Sequence, residues 1–357
     1  MRRRVASKIK GLAGQDFSGQ DWSGANLSNT DLTDTIFQSA SLDGASLENS
    51  TLERTDFVFS RLNGASFKGA INTCLFGRAD LEKTTFEMCQ IQGTDFGYAT
   101  CSETNFDKTL LNEIVFTGAD LTKSFFREAT LREVTLSQVR LKNTLFSKSV
   151  LENCLFEEIS DGVVDFQNAI LIGTHFLKVN VVDSDFTSCT LTQCTLSDSS
   201  IKKSNLTLAN FKQADLSGLH VSFGLGRGTL WTRSLLHEAV FIQYRGNSNV
   251  FDEVSADEIR FFNSQLNYSS FRGASLKQAV FNACLLIQTS FEKADLSGAD
   301  FEGCDLESAD FGGALLVGAD LRGSTLDHAD FYGAVYDSTT KFPPTITSLQ
   351  LSQMIKK

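Results

Sequence analysis

The 357 residues carry 43 acidic against 32 basic side chains, a formal net charge of −11, with two Pro and eight Cys. An acidic body of this kind repels the phosphate backbone, which excludes direct nucleic-acid binding through a basic patch. No window holds the roughly eighteen apolar residues that a membrane-spanning helix requires, and the basic start lacks the apolar stretch of a secretory signal; both point to a cytoplasmic protein.

Residues 1–11, with Arg2, Arg3, Arg4, Lys8 and Lys10, read as a basic segment that caps the N-terminal end of the chain's repeats or is disordered, with contact to an anionic membrane surface as the weaker alternative. From Leu12 onward the chain obeys a ruler of five. Every fifth residue from Leu12 to Phe67 is Leu, Phe or Trp, and the count slips by one near residue 70, where Ala70 and Cys74 both read as small-position residues only four apart. It then runs from Phe76 to Tyr336, and the only positions without a large apolar residue are Cys101, Asp161, Gly226, Gly246 and Ala256. Neither a helix nor a plain strand has this period. The unit is whole in Ala294-Asp295-Leu296-Ser297-Gly298, with the Leu as its centre. The small residue two positions earlier shares the inward face of an extended chain with the centre, the polar residue between them points out, and the last two residues suit a turn.

This pattern resembles the pentapeptide-repeat family over about residues 12 to 340, and the ending Tyr336-Asp337-Ser338-Thr339-Thr340-Lys341-Phe342-Pro343 is similar to one common in its cyanobacterial members. The resemblance implies an all-β fold: a right-handed quadrilateral parallel β-helix with four units per coil, about sixteen coils in a single elongated solenoid. With four walls, the Phe residues at every second centre (Phe76, Phe86, Phe96, Phe106 and Phe116, and on the other parity Phe271, Phe281, Phe291, Phe301 and Phe311) form the structural core as two facing ladders of rings. Seven of the eight Cys fall on the small inward position and Cys101 falls on a centre, so they read as small buried hydrophobes rather than metal ligands. No metal or cofactor is expected, and buried thiols suit a reducing compartment.

Residues 12–219 form the first stretch of solenoid, with one break inside it. Asp161 takes a centre within Glu157-Glu158-Ile159-Ser160-Asp161-Gly162. A carboxylate aimed into an apolar stack is costly, so this unit is expected to bulge outward, with Glu157, Glu158 and Asp161 as an acidic contact point. Residues 220–262 break the small-position rule at Gly224, Tyr244, Asn249, Val254 and Ile259, and read as irregular repeats with loops. Gly224-Leu225-Gly226-Arg227-Gly228 matches a phosphate-cradling loop only weakly, since no helix is evident after it. Arg227, Trp231, Arg233, Tyr244 and Arg245 concentrate the residue types favoured at interface hot spots, which makes them the candidate partner-binding residues, with silent loops as the alternative.

Residues 263–340 resume the solenoid, and 341–357 carry helix features. Thr347 or Ser348 suits the N-cap, and Leu351, Met354 and Ile355 would share a face. That face would cap the last coil or pair two molecules as a homodimer. The four His fit no zinc spacing, and His220 and His237 would meet Asp252, Glu253 or Asp257 only through special loop geometry. The chain therefore reads as a non-enzymatic scaffold or regulatory protein that binds another, unknown protein through its outer faces or the 220–262 segment. The alternative implied by the resemblance is a DNA mimic acting on an enzyme such as DNA gyrase, although Asp295, Asp300, Asp305 and Asp310 fall on successive walls.

Overall fold

A computed structural model describes residues 11–160 and 162–357; the basic residues 2–10 and Asp161 lie outside the described residues. The chain divides into two compact units, Met1–His175 and Phe176–Lys357. Both are parallel β-solenoids, and their coils number about sixteen in all.

One corner explains most of the sequence. The N–H of the residue three past a centre donates to the centre's carbonyl, as in Gln15 to Leu12 at 3.1 Å and Ala25 to Trp22 at 2.9 Å. The residue two past the centre lies in the left-handed region, for example Gly19 at φ 67° and Asn29 at φ 56°. This is the β-turn geometry that demands φ > 0 at its third residue, hence the Gly and Asn there. The Asp before the centre has a local partner: the Asp16 carboxylate accepts the Ser18 N–H at 2.9 Å, and Asp95 accepts that of Gly97 at 2.7 Å. A short acceptor at this position closes the corner from outside.

In the first unit the bridges Asp16 to Ile36 and Asp21 to Ser41 place corresponding residues twenty apart, four pentapeptides per coil. Leu52 pairs with Ile71 and Asp56 with Leu75, so the slip near residue 70 is one coil of nineteen. Its inward residue is Ile71, at 1% exposure, and Ala70 faces out. The small-position reading of Ala70 is thus corrected: the four-residue unit runs from Phe67 to Ile71, and Gly69, at φ 103°, makes the tighter corner. A second irregularity pairs Val163 with Lys142 but Val164 with Thr144, a bulge beside the Asp161 unit. Phe37, Phe57, Phe76, Phe96 and Phe116 stack as one ladder at centroid spacings of 4.8 to 5.5 Å, and Phe67, Phe86, Phe106 and Phe126 as the other. The two meet edge to face, Phe96 to Phe106 at 5.8 Å.

In the second unit Asn180, Ser200, His220, Val240, Arg260 and Val280 pair in succession, each twenty residues from the last. Residues 220–262 therefore contain no loops; the expectation of irregular repeats there is corrected. Trp231 simply takes a Phe place in the ladder, 4.5 Å from Phe211 and 5.6 Å from Phe251. The ladders continue through Phe271, Phe291 and Phe311 and through Phe261, Phe281 and Phe301.

The end is closed by a helix at Ser348–Gln353, capped by Thr347 with a reciprocal Gln350 bond. Its buried anchor is Gln350, whose side-chain amide donates to the carbonyls of Leu326 at 2.9 Å and Ala329 at 3.3 Å. Ile355 belongs to a strand paired with Val335, so it does not share a helix face with Leu351 as expected. The tail satisfies the last coil by hydrogen bonds to open carbonyls more than by an apolar face.

Candidate protein-binding face

Gly226 and Gly246 occupy centres one above the other, and the space they leave is filled by a side chain from a small position. Tyr244 projects inward and is fully buried. A Cβ at Gly226 would fall within the Tyr244 hydroxyl, and one at Gly246 within its ring edge. Asn249, also at a small position, completes the exchange. Its side-chain oxygen accepts from Trp231 Nε1 at 2.9 Å and from the Tyr244 hydroxyl at 3.2 Å, while its amide donates to the Gly226 carbonyl at 2.7 Å and to that of Gly246. Burial pushes the Tyr244 phenol well up from its usual value. Val254 and Ile259 flank Ala256 and are themselves buried. Large and small have traded places, and the core stays full.

Two of the five candidate contact residues are thereby corrected: the rings of Trp231 and Tyr244 lie in the core, out of reach of a partner. Arg227, Arg233 and Arg245 are exposed, and Arg233 is tied to Glu253 at 2.6 Å. What the coil does present is apolar side chains at outward positions, with Leu225, Leu230 and Leu235 on three different columns. Phe223 (49% exposed), Leu225 (48%), Leu230 and Leu235 all face out, although outward positions normally carry polar groups. Leu225 pairs directly with Arg245, and Arg227 lies between Leu225 and Leu230. Leu208 extends over the corner at Gly228. Phe223 sits at φ 56°, a left-handed backbone that a bulky residue adopts at a cost. Exposure and strain together mark it as a residue the fold does not need. The sequence holds a signal for it, because Phe223 is one of five Phe off the five-residue ruler.

The other singled-out groups are engaged locally. Glu157 accepts from the Ser137 hydroxyl at 3.0 Å and Glu158 from the Gln138 amide at 2.8 Å, one coil away; the third member of the expected acidic bulge, Asp161, lies outside the described residues. His237 shares a hydrogen bond with the Ser255 hydroxyl at 3.0 Å, Asp252 accepts from Ser270 and Asp257 from Ser275, so no His–carboxylate pair forms in the 220–262 coils. Among the described residues no cluster of three His, Cys, Asp or Glu is placed to hold a metal. Cys74, Cys89 and Cys154 are buried, and burial pushes their thiols up to about 11, 12 and 12. Asp295, Asp300, Asp305 and Asp310 stack on four different columns, facing Leu315, Asp320, Thr325 and Asp330 in turn, and form no single acidic stripe. Among the described residues no helix is long and apolar enough to cross a membrane.

Family models agree with the repeat geometry. The model described as "Pentapeptide repeat region" matches residues 254–331, and "Pentapeptide repeats (8 copies)" matches 14–49, 40–71, 99–138, 110–147, 164–198 and 182–218. The chain belongs to the pentapeptide-repeat family. Among solved structures it is similar to HetL, a pentapeptide-repeat protein involved in heterocyst differentiation regulation from the cyanobacterium Nostoc sp. strain PCC 7120. That match has 24% identity over 66% of this chain and 92% of HetL, with a TM-score of 0.21. It is similar to alr5209, a pentapeptide-repeat protein of Nostoc PCC 7120, at 26% identity over 36% of this chain and 84% of that one, with a TM-score of 0.24. Full-length QnrB1, a plasmid-mediated fluoroquinolone resistance protein, matches at 17% identity over 62% of this chain and 96% of its own, with a TM-score of 0.23. No curated protein matches the chain.

Proposed function

We propose that this chain is a non-enzymatic scaffold that binds another protein through an outer face of its solenoid, in a reducing, cytoplasmic setting. The observation that carries this reading is the exposed pair Phe223 and Leu225, held outward on a coil whose core is already full, with Leu208 over the corner at Gly228. An exposed aromatic and two Leu (Leu208 and Leu225) beside two arginines have the composition of a contact patch: apolar anchors with Arg227 and Arg245 to set orientation. The reducing setting is supported by the eight Cys, all of them free thiols.

The test compares wild type with Phe223→Ser combined with Leu225→Ser in quantitative affinity purification. The double variant is expected to melt as wild type does, because both side chains are exposed, and to lose a partner that wild type retains. Identical partner sets at equal abundance would remove the assignment of this face.

A further inference from the structure

The first unit carries a second surface of different chemistry, and it does not depend on the 220–262 face. Phe59, Arg78 and Tyr98 occupy the same corner of three successive coils, tied in register by their N–H groups to the carbonyls of Gly77, Gly97 and Thr117 at 3.0, 2.9 and 2.8 Å. The Arg78 guanidinium lies between the two rings, 5.9 Å from the Phe59 centroid and 5.2 Å from that of Tyr98. Tyr98 in turn lies over Gly118 on the next coil, where any Cβ would collide with the ring. Beside this corner runs a wall column of Leu75, Asp95 and Val115, and Gly77 and Gly97 keep the floor between them low. The result is a shallow cleft of about 350 Å³.

Three features set this corner apart from the others. Left-handed backbone is common to the corners, but here two bulky aromatics, Phe59 and Tyr98, take it at φ 58° and 56° on either side of one arginine, and both are more than half exposed. The two rings flank an exposed guanidinium within cation–π range of both. Among the described residues Arg78 has neither an ion pair nor a side-chain hydrogen bond, whereas Arg54, Arg61, Arg127, Arg132 and Arg140 in the same unit each face a carboxylate. A preorganised, unpaired guanidinium beside apolar side chains is complementary to a carboxylate with an apolar neighbour.

We infer that the Phe59–Arg78–Tyr98 corner docks an acidic–apolar peptide segment of a partner protein. The segment's Asp or Glu pairs with Arg78, and its apolar side chain lies against Val115 and the Tyr98 ring, which line the same cleft. Asp95, whose carboxylate is already fixed by the Gly97 N–H, sets that direction by repelling an acid placed over the wall.

The probe is a synthetic peptide library in which one Asp or Glu is placed at varied spacing from one Leu, Ile, Val or Phe, with each acid also present as its amide. Binding is read by fluorescence anisotropy on the full chain. Wild type should retain a subset of acidic peptides about tenfold more tightly than their Asn or Gln counterparts, and Arg78→Gln should abolish that preference. Phe59→Gly and Tyr98→Gly separate docking from folding: glycine relieves the left-handed strain, so the melting midpoint should stay level or rise while peptide binding falls. The inference is overturned if no acidic peptide binds wild type more tightly than Arg78→Gln, if amide peptides bind equally well, or if inorganic phosphate displaces the peptide as effectively as free peptide does. Self-association of wild type that Arg78→Gln abolishes would overturn it in favour of a second copy of this chain.

Discussion

Phe291 stacks on Phe271 and Phe311 at 5.2 Å on either side and meets Phe281 and Phe301 edge to face, with none of its surface exposed. The next residue, Glu292, points out and pairs with Arg272 at 2.6 Å and Lys293 at 2.8 Å. Surface pairs of this kind contribute little, whereas a ring lost from a close-packed ladder leaves a cavity that neighbouring rigid rings cannot fill. Phe291→Ala is therefore expected to cost about 3–5 kcal/mol and Glu292→Ala well under about 1 kcal/mol. Denaturant titration of both variants measures this, and equal small losses would contradict the inward and outward assignment. This much was legible from spacing alone, because the five-residue period states which side chains face in.

The 220–262 coils show where spacing stopped being enough. Tyr244 at a small position and Gly226 and Gly246 at centres each look like a broken rule, and together they are one volume-conserving exchange. The compensating residues lie two and eighteen positions from Tyr244, and they become neighbours only once the twenty-residue register stacks the coils. Gly226→Ala should cost about 1–3 kcal/mol because its Cβ overlaps the Tyr244 hydroxyl, and Tyr244→Ser should cost more by emptying the site. In the double variant Gly226→Ala should cost markedly less than it does alone, a coupling of roughly 0.5–3 kcal/mol. A double-mutant cycle by chemical denaturation reads the coupling directly; strict additivity would show that the two sites do not share volume. The same register brings Phe59, Arg78 and Tyr98 together, and no window of consecutive residues contains that corner.

Carboxylates at the corners accept local hydrogen bonds, and the few held below their usual range by those bonds set an acid limit. Hydrogen bonds from the Ser18, Ser23 and Thr33 side chains and N–H groups hold Asp16, Asp21 and Asp31, each just before a centre, below the usual carboxylate range, and the Thr339 hydroxyl does the same for Asp337, one residue past the centre Tyr336. Their unfolded counterparts titrate near 3.9, so the stability they contribute is present above about pH 4 and is lost as pH falls through the lower folded values. The melting midpoint should stay level from neutral pH to about pH 5 and then decline below about pH 4. A midpoint unchanged at about pH 2.5 would show that these bonds do not contribute. By itself the sequence determined the solenoid, the inward and outward faces, the Phe ladders and the burial of the Cys residues, because each follows from a local period that every coil repeats. Only the tertiary structure decided that Trp231 and Tyr244 belong to the core and that Phe223, Leu225, Phe59 and Tyr98 belong to the surface. Those assignments depend on which residues stack across coils, and stacking is fixed by register and corner geometry rather than by neighbours in the chain.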